Sequence, residues 1–355
     1  MAVMRSGGTL LVAACVTLLV TRLGAQDGCG GRSNQPQVPC AGDVAKMMAV
    51  LPAKAPATPR QARRVLVLGA TQGYVHSSIP LAARMIDEMG RKTGAWSTDV
   101  TYDAGAITAE NLKQYDAIFL SSTTGTFLDV AGDQTTTDAR RKALMDFVRG
   151  GKGLAGIHAA GDSYHGRAAG SAPPGGPRAG GAPARGRAQT GPPPPCTAGP
   201  GGGGGVPLWP EFNRTIGGYF KFHWLYPTPI TVKIDDSKSP ITAAFKGRSF
   251  NTIDEVYTFN QASFSRENVH VLTSIDYSLM TDCDKGIEQE PRSDHDYALS
   301  WIRGEGKGRV FYEALGHHES IYYNNPAMLE HLLAGMQYVL GDLAADDSPS
   351  VKRSR

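Results

Sequence analysis

The chain has 355 residues, of which 41% are hydrophobic, and this is long and apolar enough for one large folded domain. Its formal net charge is +3. Four arginines in one stretch without acidic residues account for all of this positive excess: Arg167, Arg178, Arg185 and Arg187. Because the remaining charge is balanced and forms no basic stripe, nucleic acid is excluded as an expected partner.

The first residues have the pattern of a secretory signal peptide. Arg5 precedes an apolar run at 9–20, and small residues follow up to Ala25. The run is shorter than the roughly 20 apolar residues that span a bilayer. We therefore predict a signal peptide at 1–25 and an exported protein, periplasmic or secreted, with no membrane contact after cleavage; an uncleaved anchor is the alternative.

Four cysteines remain after this cleavage, an even number that permits disulfides in an exported chain. Cys29 and Cys40 are the favoured pair, and pairing of Cys196 with Cys283 stays open. None of them lies in a setting typical of a catalytic nucleophile.

Composition divides the mature chain into four parts. Residues 26–62 are rich in Pro, Gln and Ala and are predicted to be an N-terminal linker. One domain is expected at 63–343, interrupted at 166–207 by a Gly/Pro-rich insertion that cannot bury enough apolar area to order itself. Residues 344–355 are predicted to be a flexible tail.

Strand and helix patterns alternate through the first half of this domain. Apolar runs predict strands at 64–69, 98–102, 116–121 and 153–160, and helical spacing predicts helices at 78–90 and 137–150. Buried strands that alternate with amphipathic helices predict an α/β fold with a mostly parallel sheet and helices on both faces.

The second half begins with a predicted helix at 209–220. Strands follow at 230–234, 256–259, 269–274, 298–302 and 309–315, the last two around a glycine-rich hairpin turn, and a helix closes the domain at 327–340. The order of these strands in the sheet stays open.

Histidines cluster where strands end, and ligands of open α/β sheets bind beyond the carboxyl ends of strands. Four strand ends supply His76, His158, His317 and His318. Carboxylates lie close to two of them, at Asp162 and Glu319. The loops add His223, His295 and the acidic pair Asp254 and Glu255.

Two chemistries suit such a set. One is a divalent metal held by imidazoles, with a carboxylate as base, for which the candidate ligands are His158, His223, His295 and His317. The other is acid–base catalysis by a histidine–carboxylate pair without metal, for which the candidates are His158, Asp162, Glu255 and His317. No HExxH or CxxC spacing occurs, so the metal hypothesis depends on convergence in space.

Substrate-binding candidates are chosen for hydroxyl, imidazole or aromatic character: His76, Thr123, Thr124, Gly125, Trp224 and Trp301. Each also has a structural interpretation. His76 can help to cap the following helix, and residues 123–125 can simply turn the chain.

Seven segments, in order, resemble the trehalose-utilisation, or ThuA-like, proteins. They are GYVHSSIP (73–80), YDAIFLSSTTG (115–125), FVRGGKGLAGIHAAGD (147–162), WPEFNRTIGGYFKFH (209–223), TIDEVYTF (252–259), DHDYALSW (294–301) and GRVFYEALGHHESIY (308–322). The resemblance implies a flavodoxin-like fold, similar to class I glutamine amidotransferases, and a role in sugar metabolism. It also implies a site near His158, Asp162, His223, Glu255, His295 and His317.

The chain departs from the amidotransferases and from the family that it resembles. The turn at 156–160 contains no cysteine, so glutamine hydrolysis by a thiolate is excluded. The family's short link between the GIHAAGD and WPEF segments is lengthened here by the insertion.

The first functional hypothesis is a hydrolase or lyase that acts on a glycoside or keto-sugar. His158 or His317 would be the acid–base residue, and Asp162 or Glu255 the carboxylate. The second is a non-catalytic carbohydrate-binding protein, in which sugar faces stack on Trp209, Trp224, Tyr226 and Trp301. A small carbohydrate is the expected partner in both, and the oligomeric state stays open.

Overall fold

The computed structural model describes residues 29, 38–166, 205–288 and 290–351. The predicted signal peptide at 1–25, most of the insertion predicted at 166–207, Cys196 and the last four residues lie outside these ranges. Among the described residues, no helix has the length and apolar character needed to cross a membrane.

One sheet of nine strands organises the described part of the chain. The strands are β1 (Arg64–Leu68), β2 (Ser97–Thr101), β3 (Ala117–Ser121), β4 (Gly153–Ile157), β5 (Phe220–Ile234), β6 (Phe250–Phe259), β7 (His270–Ile275), β8 (Ala298–Glu305) and β9 (Gly308–Glu313). Their spatial order is β2-β1-β3-β4-β9-β8-β7-β5-β6.

Seven α-helices surround the sheet in the described residues. They are α1 (Ala41–Val50), α2 (Ile79–Thr93), α3 (Ala109–Leu112), α4 (Gln134–Arg149), α5 (Pro210–Ile216), α6 (Asp282–Lys285) and α7 (Pro326–Val339). Leu144 of α4 and Phe212 of α5 belong to one buried cluster, whereas Met85 of α2 and Leu332 of α7 belong to another. Helices therefore cover both faces, and the predicted α/β fold is confirmed.

The sheet has a parallel and an antiparallel half. Strands β2, β1, β3, β4 and β9 pair in parallel, and every position of β3 and β4 is buried, as expected for strands covered on both faces. From β9 onward all pairings are antiparallel. The predicted parallel arrangement therefore holds for five strands. The predicted hairpin between β8 and β9 turns at Gly306, whose φ of 60° suits glycine.

The predicted disulfide between Cys29 and Cys40 is present. It directly precedes α1, whose Met47 is fully buried. Further along, the backbone N–H of Ala57 donates to the Gln337 side chain at 2.9 Å. The linker predicted at 26–62 is therefore wrong from α1 onward, because a short apolar piece packs against the helices.

The predicted tail is also partly folded. Tyr338 donates its hydroxyl hydrogen to Asp347 at 2.6 Å, and the N–H of Val271 donates to Ser350 Oγ at 2.8 Å. Residues 344–351 are therefore held on the domain by polar contacts. The sequence did not predict this, because polar contacts produce no hydrophobic pattern.

The contact between α7 and β9 provides a test of packing. A methyl group at Gly335 would lie 2.6 Å from the Phe311 ring. Helix propensity favours alanine by about 1 kcal/mol, but overpacking costs about 1–3 kcal/mol. We expect Gly335→Ala to lower the midpoint of denaturant unfolding.

Gly42→Ala in α1 is the matched control, because its new methyl group meets nothing within 4 Å. It should raise the midpoint slightly. Equal behaviour of the two variants would contradict the close packing of α7 on the sheet.

Candidate active site

Four side chains from distant parts of the sequence meet at one edge of the sheet. His76 lies between β1 and α2, His158 directly follows β4, Glu255 lies on β6, and His317 follows β9. One nitrogen or oxygen of each lies within 4.8 Å of the corresponding atoms of the other three. We call these four residues the histidine–glutamate cluster. The predicted convergence of His158, His317 and Glu255 is therefore observed.

Curling of the sheet makes this convergence possible. In the strand order, β6 is four positions from β9. Nevertheless, the buried Asp254 carboxylate of β6 accepts hydrogen bonds from the backbone N–H groups of Gly316 at 2.6 Å, His317 at 3.2 Å and His318 at 3.0 Å. The antiparallel half thus folds over the carboxyl ends of the parallel strands, and Asp254 fixes the loop that carries His317.

His158 adopts a backbone conformation that is unusual for a residue with a side chain. Its φ is 46°, in the left-handed region, and such strain costs about 1–3 kcal/mol. The Tyr312 hydroxyl donates to the His158 carbonyl at 2.5 Å. His158 Nδ1 donates to the carbonyl of Ala314 at 2.9 Å, and Nε2 faces Glu255 Oε1 at 3.7 Å.

Glu255 is the common neighbour of the histidines. Its Oε1 lies 3.3 Å from His317 Nδ1, and its Oε2 lies 3.2 Å from Nδ1 of His223, a fifth residue at the rim. Burial alone would raise the pKa of Glu255, but His158, His223 and His317 outweigh burial and hold that pKa far below its ordinary value. The carboxylate is therefore ionised throughout the physiological range.

Several imidazole nitrogens at this place have no hydrogen-bond partner although they are buried: His76 Nδ1, His158 Nε2, His223 Nδ1 and His317 Nδ1. Burial, and then the charges of His158 and His317, lower the pKa of His76 well below its ordinary value, so its ring is neutral. Burial lowers the pKa of His317, but Glu255, Asp254 and Glu319 outweigh burial and raise that pKa. Imidazoles beside a carboxylate are the donor set of Zn²⁺ and similar ions, and a bound cation would take the place of an imidazole proton. The residues present therefore fit a divalent cation.

Two aromatic rings lie beside the cluster and are exposed to solvent. The Tyr74 ring, 50% exposed, meets His76 edge-to-face with centroids 4.7 Å apart. The Tyr226 ring, 38% exposed, stacks on His318 at 4.3 Å with planes 2° apart. Tyr74 was not a candidate from the sequence, although it lies two residues before His76.

One predicted site residue, His295, lies away from the histidine–glutamate cluster. His295, a predicted metal ligand, stacks on Tyr277 at 4.8 Å and is outside the cluster, so that prediction is wrong. Its loop is held away by ion pairs of Asp294 and Asp296. His76, predicted only to bind substrate, takes its place in the cluster.

The predicted sugar-binding tryptophans are also wrong. Trp224 and Trp301 are fully buried, and their indole N–H groups donate to the carbonyls of Asp284 and Ile216. Both side chains belong to the core and present no surface to a ligand.

The hydroxyl-rich loop at 123–125 supports the site without facing it. Thr123 Oγ1 and Ser163 Oγ lie 3.1 Å apart, and Thr124 Oγ1 donates to the carbonyl of Tyr74 at 2.8 Å. Gly125 has a φ of 64° and lies against the backbone of Gln72. Both threonines are buried, so the prediction that this loop binds substrate is corrected: it positions the segment that leads to His76.

Asp162, a predicted catalytic carboxylate, pairs with His165 instead of joining the cluster. Its charge contributes to the raised pKa of Tyr257, for which burial is the larger cause. The Tyr257 ring lies 4.2 Å from the His158 ring. Asp162 therefore lies behind the cluster, with Tyr257 beside both.

A sequence model of the family described as "ThuA: Trehalose utilisation" matches residues 64–181 and 201–339. The chain belongs to the ThuA family. The matched ranges contain all four residues of the histidine–glutamate cluster, and the break between them falls inside the insertion. The family's description links the chain to carbohydrate metabolism. No curated protein matches it.

Two solved structures are similar to this ThuA-family chain. A ThuA-like protein from Bacteroides uniformis is 19% identical, with a TM-score of 0.52, over 80% of this chain and 94% of the other. A ThuA-like protein from Parabacteroides merdae is 15% identical, with a TM-score of 0.45, over 83% and 98%. The first similarity supports the α/β fold.

The role of Asp254 can be tested through stability. Asparagine offers a single acceptor oxygen and turns an amide toward N–H donors, so Asp254→Asn removes hydrogen bonds to a charged group. We expect the free energy of unfolding to fall by about 2 kcal/mol, measured by denaturant titration.

Asp103→Asn is the control, because Asp103 accepts a single exposed N–H, from Gly105 at 2.7 Å, and asparagine caps equally well. An Asp254→Asn variant as stable as this control would contradict the anchoring role.

Proposed function

We propose that this ThuA-family protein is an exported enzyme, a hydrolase or lyase that acts on a glycoside or keto-sugar at a divalent-metal centre formed by the histidine–glutamate cluster. One observation carries the proposal: one ring nitrogen from each of three histidines and one carboxylate oxygen, from largely buried residues, all lie within 4.8 Å of one another. The nitrogens have no hydrogen-bond partner there.

A bound cation accounts for these nitrogens. Each buried polar atom without a partner costs about 1–3 kcal/mol, and several in one place call for a shared partner. The bond from His158 Nδ1 to the Ala314 carbonyl matches the arrangement usual for metal ligands, in which the second ring nitrogen donates to the protein. A donor set rich in imidazole favours Zn²⁺ or a similar first-row ion over Mg²⁺ or Ca²⁺.

Such a cation polarises a carbonyl group or lowers the pKa of a bound water molecule. The strongly lowered pKa of Glu255 makes it an anionic ligand and a poor base. His223 lies at the rim, with Nδ1 3.2 Å from Glu255 Oε2 and its side chain partly exposed. We therefore assign proton transfer between substrate and solvent to His223.

Two further observations support the remaining parts of the proposal. The family description, trehalose utilisation, favours a sugar substrate. The disulfide between Cys29 and Cys40 favours an oxidising compartment, consistent with a periplasmic or secreted protein.

Metal content is the first test. We expect elemental analysis of the purified protein to find about one divalent first-row ion per chain. Glu255→Gln and His158→Ala should lose most of it, because each removes one ligand of the cluster.

His295→Ala is the matched control, since it deletes a histidine outside the cluster, and it should keep the metal. A wild-type protein that binds no divalent ion after incubation with Zn²⁺, Mn²⁺ or Co²⁺ would overturn the metal centre.

Turnover is the second test, with glycosides and 3-keto-glycosides as substrates and with and without metal. His223→Ala should keep the metal and the affinity for substrate but lower kcat by about 10²–10⁴-fold, the usual contribution of a positioned acid–base group. A metal-loaded protein that binds saccharides without converting any of them would instead be the non-catalytic binder.

A further inference from the structure

The aromatic residues that the sequence offered for sugar stacking differ in accessibility. Trp224 and Trp301 are fully buried and Trp209 is 6% exposed, whereas Tyr226 is 38% exposed. Tyr226 is also the one of these four that stacks beside the cluster, through His318. A sugar platform at the described site therefore has one candidate among them.

An irregularity of β5 turns Tyr226 outward. Trp224 pairs with Val256 and Thr228 pairs with Asp254, so four steps along β5 correspond to two along β6. Two extra residues bulge from the pairing, and Thr228 Oγ1 closes this bulge by donating to the Leu225 carbonyl at 2.5 Å. Bulges re-aim side chains next to functional sites. Without it, Tyr226 would follow Trp224 into the core, because alternate residues of a strand share a face.

The ring is held rigidly on one side. His318 lies parallel to it at 4.3 Å, and the His318 ring is itself fixed because its Nδ1 accepts the N–H of Ser320 at 3.1 Å. The backbone of His318 is held by Asp254. One face of the Tyr226 ring is therefore covered by His318, and its exposed fraction leaves surface for a ligand without loss of side-chain freedom on binding.

This platform adjoins the metal ligands. The centroid of the Tyr226 ring lies 6.3 Å from that of His317, with planes 21° apart. A ligand ring resting on Tyr226 would therefore lie close to His317, and Tyr74 packs against His76 on another side of the cluster.

We infer that Tyr226, backed by His318, binds the pyranose ring of the substrate and presents it to the histidine–glutamate cluster. Rings of this kind carry an apolar C–H face that matches the electron-rich face of an aromatic side chain, while their hydroxyl groups suit the polar atoms of the cluster. A nucleic-acid base would also stack, but the balanced charge offers no attraction for phosphates. The inference rests on the proposed function for its substrate class.

The test measures binding of trehalose, cellobiose and methyl α-glucopyranoside to the full chain loaded with Zn²⁺, by calorimetry and saturation-transfer NMR. Tyr226→Ala should weaken affinity for the bound sugars by about 10–100-fold, which corresponds to about 1.4–2.8 kcal/mol of binding free energy. It should also remove the saturation transfer to the ring's axial C–H protons. Tyr226→Phe should behave like the wild type.

Tyr277→Ala is the matched control, because it removes another tyrosine stacked on a histidine, His295, away from the cluster. It should leave sugar affinity unchanged, and elemental analysis should find wild-type metal in all three variants. Unchanged affinity in Tyr226→Ala, or a metal-loaded wild type that binds none of these sugars, overturns the platform and leaves the metal centre standing. If the wild type takes up no divalent ion but binds sugar in a way that depends on Tyr226, the metal centre alone is overturned.

Discussion

The buried carboxylate of Asp254 is the interaction on which the site depends. It accepts three consecutive backbone N–H groups from the loop after β9, although its own strand is four positions away in the sheet. Burial raises the pKa of Asp254, and the charges of His158 and His317, followed by the N–H donors of Gly316 and His318, offset only part of this rise. The next residue, Glu255, meets the histidine rings. The two adjacent acidic residues therefore have different roles. Asp254 fixes the backbone of the loop after β9, and Glu255 contacts the histidine side chains.

The sequence predicted those parts of the site that obey a local rule. His158 and His317 were found because they end buried strands, and strand ends share an edge of a parallel sheet. His76 was found by the same rule but was assigned to substrate. Glu255 was predicted only from its acidic pair and the family resemblance. The strand-end rule does not place it, because its position depends on how far the antiparallel half of the sheet curls. His295 was misassigned since its loop is positioned by an ion pair of Asp296 with the distant Arg266 and by a local pair of Asp294 with Arg292.

The aromatic residues show a different limit. Apolar character and alternation along β5 place Phe222, Trp224 and Tyr226 on one face, and the pattern does not reveal which of them leaves it. Two extra residues in the pairing with β6 decide this, and they depend on the partner strand. The α/β class could be predicted because short buried strands and amphipathic helices are local patterns, whereas the order of the antiparallel strands is a property of the whole chain.

The histidines are held in place by the protein itself. The Ala314 carbonyl orients the His158 ring, Tyr312 fixes its backbone, and Asp254 fixes that of His317. Since none of these bonds involves an ion, the ligands of the proposed metal centre would be positioned before an ion binds, unlike those of small zinc domains. At the proposed metal centre, an ion could then exchange in the folded protein. The supply of metals would decide which ion is bound there, because imidazole sites rank first-row metals by affinity more than they exclude any of them.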